Sequence, residues 1–523
     1  MLGHTSSASS VWARAQRLIT KRSGAFVLAF IVLASLAFRL HLSAECSLWF
    51  DEVTTHRHVM RPWGEVLKGP SREHPPLMYV LIRVVLDLFG QSPTLLRSVS
   101  IFFGCVLLIA IHELCLELGL SVKRALIVVG SFALTPFFIR HATESRHYAI
   151  LAAFVVLATT SALRLLRPPW RARDLAGFVG CALAAAATQY FGLAYALALL
   201  GALVLGIRPV WQRARAVQRV ALLGSLSGLL AVLGWIAIRA AAVGDFYASE
   251  DADETAPALK FSSALLSEML REYSFLGNEY TSWFIQPLLA VVGLALLSWR
   301  LRGAARLLPL GLGMAPCIAA LFISSGHFLA ARYLAPSAVL YHLGSCAALF
   351  AASDRIRSLL ARRARALFVG PAIGWCSLAA VLAARLSEFP DRFGAGGDDY
   401  RSLQRYFREN LAKDTRVVSY VGYFGHVIFD QEYRLGSRSI YLERFQPVSG
   451  IDRYLVVELH VGDARRNAFE KLITRKLRIS PEAFRALPLV PLPHSRYQPA
   501  VNARLVQLPT GYVPPPSGKP RKR

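Results

Sequence analysis

A chain of 523 residues that is 54% hydrophobic is not composed like a soluble domain, which rarely exceeds half apolar. Its formal net charge of +26 would point to nucleic acid on a soluble protein. Here most of the Arg sits in short segments between apolar stretches, where it acts as a topology signal. No nucleic-acid partner is expected, and the partner implied is the lipid bilayer.

Residues 1–23 form a basic N-terminal segment carrying Arg14, Arg17, Lys21 and Arg22. The apolar run from Gly24 to about Leu42 follows, broken by Arg39 and His41 near its end. It is longer than the ~7–15-residue core of a signal peptide. Ser43-Ala44-Glu45 is also a poor cleavage site, so an uncleaved anchor is expected. The span ends in Leu48-Trp49-Phe50, with the acid pair Asp51-Glu52 directly after it. Aromatic residues draw this position into the membrane interface, where charge is costly. Two carboxylates there must be solvated, paired or used.

Next, His74-Pro75-Pro76 opens a segment that is apolar to Phe89 but short, and that carries Arg83 and Asp87. If it crossed the bilayer, Lys123-Arg124 would lie outside and every later loop would invert. An interfacial helix on the outer leaflet is therefore expected. Leu95 to Leu118 is then the second span and Ala125 to Ile139 the third. Arg140 to His147 emerges on the same side as Asp51-Glu52.

Basic segments recur at Lys123-Arg124, Arg167 to Arg173, Arg208 to Arg219, Arg300 to Arg306 and Arg355 to Arg365. Acids fill the alternate segments: Glu45 to Glu73, Glu144, and Asp245 to Glu279. With basic segments cytoplasmic and acidic ones outside, the pattern works with about eleven transmembrane helices, an inward N-terminus and an outward C-terminus. The fold class expected is a polytopic α-helical membrane protein, its transmembrane part over 24–386 with outer loops 43–94 and 140–147.

Asp251-Ala252-Asp253 sits among Glu250 and Glu254, where such spacing is cheap, and is not read as a metal site. Cys46, Cys105, Cys115, Cys181, Cys317, Cys346 and Cys376 form neither a disulfide framework nor a zinc motif. His56, His58, His141 and His327 are scattered and make no ligand set. No internal repeat of the transporter kind is visible.

After about Ser387 the character changes. Asp398-Asp399-Tyr400 opens an amphipathic helix with Tyr400, Leu403, Phe407 and Leu411 at helical spacing. Arg416 to Val421 and Arg453 to Leu459 read as strands, and Asp463 caps a second helix through Lys476. Residues 387–508 are thus expected to form an α/β domain, outside the cytoplasm by span parity. Residues 509–523 form a Pro-, Gly- and Lys/Arg-rich tail expected to be disordered.

Four elements carry a family resemblance. Ser47-Leu48-Trp49-Phe50-Asp51-Glu52 is similar to an aromatic-Asp-Glu motif after a first span. His74-Pro75-Pro76-Leu77-Met78-Tyr79, running to Leu88-Phe89-Gly90, is similar to an HPPLYY…LFG segment. Thr143-Glu144-Ser145-Arg146-His147-Tyr148-Ala149 is similar to a QEARMYA-type second outer loop, and Arg332-Tyr333-Leu334-Ala335-Pro336 to a later RYLxP element. In order and sidedness the chain resembles the GT-C superfamily of integral-membrane glycosyltransferases. The branch is that of the protein O-mannosyltransferases, aminoarabinose transferase and bacterial family-39/83-like enzymes. The likeness is close over residues 1–170 and topological beyond. Thr143 stands where relatives often carry Gln, and His147 where they carry Met, which leaves acceptor specificity open.

The resemblance implies transfer of a sugar from a polyprenyl-phosphate carrier to an extracytoplasmic acceptor with inversion. Asp51 would be the general base, a role typically worth ~10²–10⁴ in rate. Glu52 would orient sugar hydroxyls or a cation. Glu144 would hold Arg146 or bind the acceptor. Arg146 and Arg332 would neutralise the leaving phosphate, which suits the planar guanidinium fork. His74 and Tyr148 complete the substrate-binding set. The acceptor is a glycolipid, a polysaccharide or a protein. No cofactor is certain, and a divalent cation is left open.

The Ala/Arg-rich composition and compact loops point to a bacterial inner membrane with a periplasmic site. Two other readings compete. A lipid or solute transporter or flippase would carry its charges mid-span, whereas these cluster at one face. A catalytically inactive GT-C-like scaffold in envelope assembly would have no need of intact Asp51, Glu144 and Arg146.

Overall fold

By their contacts the residues fall into two units: Met1–His41 with His58–Glu388, and Leu42–Arg57 with Phe389–Arg523. The computed structural model describes residues 6–46, 48, 50–68, 74–167, 171–213, 216–250, 263–273, 285–323, 331–361, 416–420, 439–441, 453–458, 474, 480–487 and 502–507. The expected helix over 398–411 lies outside these residues, as does that over 463–476 except for Thr474. So do Ser47, Trp49, Asp251-Ala252-Asp253, His327, Cys376 and the tail.

In chain order the helices are α1 (Ser6–Glu45), α2 (Phe50–Val59), α3 (Trp63–Lys68), α4 (Leu77–Phe89), α5 (Pro93–Glu117), α6 (Val122–Ala133), α7 (Pro136–Thr143), α8 (Tyr148–Leu165), α9 (Ala172–Thr188), α10 (Tyr190–Arg213) and α11 (Ala216–Glu250). After these come α12 (Ser263–Tyr273), α13 (Gln286–Arg300), α14 (Leu307–Ile323) and α15 (Ala335–Ala361), with 3₁₀ turns at Gly303–Arg306 and Ala331–Leu334. Among the described residues five segments are long and apolar enough to cross a bilayer: Ser23–Glu45, Pro93–Glu117, Tyr148–Leu165, Gln218–Ile236 and Ala331–Ile356. Tyr190–Gly206 and Gln286–Arg300 are apolar but shorter.

Taken together, α6 and α7 are also long and apolar enough to cross, bent by 65°. The sequence predicts one helix from Ala125 to Ile139, and Pro136 is the reason it breaks. Pro136 has no N–H to bond the carbonyl of Phe132, and its ring disfavours helical geometry at the residue before it. Thr135 is accordingly extended, with φ −74° and ψ 121°. It repairs the gap locally: its N–H donates to Phe132 O at 3.1 Å and its hydroxyl to Ser131 O at 3.0 Å.

The two ends of the first unit are chemically distinct. At one end Ser145 Oγ donates to Leu96 O at 3.0 Å and Ser100 Oγ to Arg146 O at 2.9 Å, joining the starts of α5 and α8. At the other, Arg164 bonds Glu113 and Glu117 at 2.7 Å each, and Arg167 bonds Glu117 at 3.2 Å, joining the ends of the same helices. Helices α5 and α8 are therefore parallel, and the bent α6–α7 pair is the return crossing between them. Arg124 pairs with Asp354 at that second end, so α15 also starts where the turn 144–147 lies. This end carries the basic segments Lys123-Arg124, Arg167 and Arg355.

Packing inside the bundle uses small residues. A Cβ added at Gly293 of α13 would collide with the carbonyl oxygen of Gly344 on α15, and one at Gly344 with that of Ala290. The two helices meet backbone to backbone. Polar groups stitch other pairs: Ser131 Oγ lies 2.8 Å from His342 Nε2, and Tyr195 OH lies 2.6 Å from Ser337 Oγ. The outward face is apolar, with Phe26, Phe30, Leu205, Val220, Ile238 and Trp299 exposed. So much uncovered apolar surface fits a lipid solvent and no aqueous one. The chain is an integral membrane protein.

Helix α4 is the short helix expected over Pro75 to Phe89. It buries Met78, Tyr79, Ile82 and Leu86 and leaves Leu88 and Phe89 exposed. It ends at Gly90, whose φ of 91° suits only glycine. Arg83 anchors it: Nη1 donates to Val59 O at 2.7 Å and to Arg61 O at 3.2 Å, while Nε donates to Asp87 at 2.9 Å. A cation on the last carbonyl of α2 also complements that helix's dipole.

In the second unit, β1 (Arg416–Tyr420), β2 (Ser439–Tyr441), β3 (Arg453–Glu458) and β4 (Asn502–Gln507) form one sheet in the order β2-β1-β3-β4. Strand β1 runs parallel to both neighbours, with Val417 opposite Ser439 and Leu455; β4 is antiparallel to β3. β1 and β3 lie where the sequence places strands, while β2 and β4 lack a readable alternation. A short helix α16 (Pro481–Ala486) is capped by Ser480, whose Oγ accepts from Ala483 N–H at 3.0 Å.

Candidate active site

The first unit brings three sequence-distant segments into one cluster. The turn between α7 and α8 supplies Glu144, Ser145, Arg146 and His147. The segment before α4 supplies His74, and the 3₁₀ turn before α15 supplies Arg332 and Tyr333. His74 and His147 lie with ring centroids 4.8 Å apart. His147 also meets Tyr148 at 4.5 Å and stacks on Tyr333 at 6.2 Å. Arg332 Nε donates to Tyr148 OH at 2.9 Å, and its guanidinium lies over the Tyr148 and Tyr333 rings at 6.0 and 5.7 Å. Five residues singled out from sequence (His74, Glu144, Arg146, Tyr148 and Arg332) thus sit together.

Glu144 closes α7. Its Oε1 accepts from Arg140 Nε at 2.9 Å and its Oε2 from His141 Nδ1 at 3.0 Å. Burial works to raise this carboxyl, but the His141 and Arg140 charges, each also hydrogen-bonded to it, outweigh burial and hold it at about 2. Glu144 is ionised at neutral pH, and a carboxylate so held is a weak base. Its geometry suits fixing the turn and its cations rather than taking a proton.

The histidines behave in the opposite way. His74 is depressed to about 3 by burial, then by Arg146 and His58. His147, fully buried, is pushed well below its ordinary value by burial and then by His74, Arg146, Arg332 and His141. Both ring nitrogens of His147 are without a hydrogen-bond partner among the described residues. A buried imidazole with neither nitrogen satisfied is costly and unusual.

Beneath the cluster lies Arg39, only 1% exposed, within the first span. It touches the Cys105 thiol, while its Nε and Nη1 find no partner among the described residues. It lines a small cavity with Gly104, Phe138, His141 and Tyr148 that has room for about one water. Gly104 makes this approach possible: a Cβ there would lie 2.8 Å from Arg39 Nη1 and 2.7 Å from Ala142 Cβ.

Asp51 and Glu52 belong to the second unit. They occupy the first turn of α2, where carboxylates suit the positive end of the helix dipole. Glu52 is fully buried and Asp51 half-buried, and Thr55 Oγ1 donates to the Asp51 carbonyl at 2.8 Å. Among the described residues no three His, Cys, Asp or Glu side chains converge as metal ligands.

Sequence reasoning missed Arg140, His141, His147 and Tyr333 as members of the cluster. His141 sits three residues before Glu144 on one helix face, a spacing that could have signalled the pair. Nothing in the sequence marks the burial of His147.

No family model matches the sequence, and no curated protein matches it. Solved structures do match. The apo oligosaccharyltransferase of Archaeoglobus fulgidus aligns with 92% of this chain and 76% of its own, at a TM-score of 0.53 and 12% identity. The oligosaccharyltransferase AglB of the same archaeon, in complex with an inhibitory peptide and a dolichol-phosphate, aligns with 94% of this chain and 77% of its own, at 0.51 and 12%. Apo ArnT from Cupriavidus metallidurans covers 91% and 97%, at 0.46 and 13% identity. At such identities the likeness is one of architecture: this chain shares the fold of the archaeal oligosaccharyltransferase.

Proposed function

We propose that this protein is an inverting membrane glycosyltransferase, moving a sugar from a polyprenyl-phosphate carrier to a glycolipid, polysaccharide or protein acceptor, with Asp51 as general base. The observation that carries the reading is the convergence of His74, Arg146, His147 and Arg332 at one end of an apolar bundle. Such a collection of donors beside lipid-facing helices is what a phosphate on a long apolar tail requires. The archaeal enzyme of like fold binds a dolichol-phosphate, which is the same class of ligand.

In this reaction the acceptor hydroxyl gives its proton to Asp51 as its oxygen attacks the anomeric carbon. The bond from that carbon to the phosphate oxygen breaks, and the electron pair leaves with the phosphate. Arg146 and Arg332 neutralise the charge that develops. Glu52 orients the sugar hydroxyls. Glu144, weak as a base, holds Arg140 and His141 and so sets the turn carrying Arg146. The domain limits proposed are 1–23, 24–386, 387–508 and 509–523, with about eleven spans, a bacterial inner-membrane location and the site on the periplasmic face.

The test is transfer of radiolabelled sugar from a polyprenyl-phosphate donor by purified protein in membranes, comparing wild type with Asp51→Asn. A loss of ~10²–10⁴ in rate is expected. Undiminished transfer by the variant removes Asp51 as base. Movement of intact lipid without any glycosidic product identifies a flippase instead.

A further inference from the structure

His147 has no part in the reaction as written above, yet it is the most constrained polar group of the cluster. It is fully buried, and neither ring nitrogen has a partner among the described residues. Its surroundings are one-sided. His74 faces it at 4.8 Å, with His58 behind; Arg146 and Arg332 add positive charge from the turn and the 3₁₀ segment, and His141 of α7 lies close by. Tyr148 and Tyr333 complete the shell with neutral rings. Glu144, the acid of this turn, is already engaged by Arg140 and His141. A neutral imidazole in such a setting is waiting for negative charge.

We propose that the His74–His147 pair is the proton-accepting half of a phosphate-monoester site, His147 being neutral in the free protein and taking up one proton when a dianionic phosphate monoester lies against Arg146 and Arg332. The inference rests on the reading that a lipid phosphate leaves at this cluster. Its chemistry follows from the change in that group. During transfer the phosphate passes from a diester with one negative charge to a monoester with two. The acceptor's proton has gone to Asp51, so the additional charge is met by a proton drawn from solvent onto His147. An opposite charge within ~4–6 Å favours the charged imidazole, typically by ~1–3 pKa units. The orphaned nitrogens then have their partners: one donates to a phosphate oxygen and the other is free to donate to water or His74. His147 is here a binding residue for the leaving group, matched to its final charge.

The sign of the pH dependence follows. The liganded protein holds more protons than the free one, so affinity for the monoester is highest below the bound-state pKa of His147 and falls as pH rises through it. A site made of guanidinium groups alone shows no such fall between pH 7 and 9, because Arg does not titrate there and the monoester, with a second pKa of ~6, is already dianionic.

The test is isothermal titration calorimetry on the full chain at pH 7.5, in buffers of differing ionisation enthalpy, with farnesyl phosphate and, separately, inorganic phosphate as probes. The expected result is uptake of a fraction of a proton per farnesyl phosphate bound, reduced at least twofold in His147→Gln, with roughly tenfold weaker binding. Binding without proton uptake, or uptake unchanged in His147→Gln, overturns the inference and leaves the transferase reading standing. Failure of wild type to bind either probe overturns both. Should His147→Gln not fold, His74→Gln carries the test: a proton number equal to wild type there overturns the pair. Farnesyl phosphate binding tenfold or more tighter than inorganic phosphate assigns the site to a lipid headgroup; equal affinity, with uptake retained, supports the pair and assigns it to a free anion.

Discussion

His141 and Glu144 lie one turn apart on α7 with Nδ1 and Oε2 3.0 Å from each other, and Arg140 closes the other carboxylate oxygen at 2.9 Å. A buried carboxylate bonded on both oxygens by neighbouring donors is a fixed point of the structure. It holds the turn that delivers Arg146 and His147.

The carboxyl of Glu144 is held at about 2 against an ordinary 4.5, so its contribution to stability is complete above pH 4.5 and is lost as pH falls toward 2. Thermal unfolding of the detergent-solubilised protein should show a Tm that declines across that window. Glu144→Gln should lack this part of the decline. Glu144→Leu, which strands Arg140 and His141, should lose ~3 kcal/mol at neutral pH. An identical pH profile for wild type and Glu144→Gln would refute the assignment.

Arg332 is placed by Tyr148 at 2.9 Å and by two aromatic faces. Arg332→Ala should raise KM for the lipid-linked donor tenfold or more and lower kcat as well, as expected for a cation that meets developing charge. Tyr148→Phe, which removes only the acceptor hydroxyl, should cost ~1 kcal/mol in kcat/KM. Arg332→Lys keeps the charge but loses the planar fork, and should fall between the two. Steady-state kinetics ranks the three.

The contact of Gly293 with the backbone of Gly344 leaves no room for any side chain. Gly293→Leu or Gly344→Val must separate α13 from α15, with an overpacking penalty at the upper end of the usual ~1–3 kcal/mol or beyond it. Monodisperse yield from size-exclusion chromatography should collapse for both. Substitution of Gly180, where an added Cβ meets nothing within 4 Å, should leave the yield intact.

Much of this architecture is legible from residues. The long apolar runs behind α1, α5, α8 and α15 announce themselves by length, and the short apolar run ending at Phe89 shows as the helix α4. The kink at Pro136 was also readable, since Thr135-Pro136 disfavours a continuous helix, yet the strength of the apolar pattern from Ala125 to Ile139 conceals it. The cluster is half legible. Charged residues in interfacial turns stand out, so Glu144, Arg146 and Arg332 can be picked one by one. His147 and Tyr333 cannot, because their part depends on burial and on neighbours 70 or more positions distant, whereas the spacing of His141 to Glu144 is readable. Arg39 reads as an interruption of a span, while its approach to Gly104 is purely three-dimensional.

Arg83 joins α4 to the last carbonyl of α2, that of Val59, and to Arg61 O just beyond it, and lies 5.7 Å from the Trp63 ring. Arg83→Ala should loosen this junction without altering the cationic cluster. Hydrogen exchange of the 59–65 backbone should accelerate, and Tm should fall by an amount matching ~1.5–3 kcal/mol for bonds to a charged donor. Exchange at 144–148 should stay as in wild type.

The 65° bend between α6 and α7 sets a depth. Eight helical residues travel ~12 Å along their own axis, but at this inclination α7 advances only ~5 Å in the direction of α6. The turn bearing Arg146 and His147 is therefore carried sideways across the bundle rather than up and out of it. A straight helix would lift its charges some ~7 Å further along that direction. One proline thus does the work of a plumb line, setting how far the charged groups of this turn stand from the apolar length of α6.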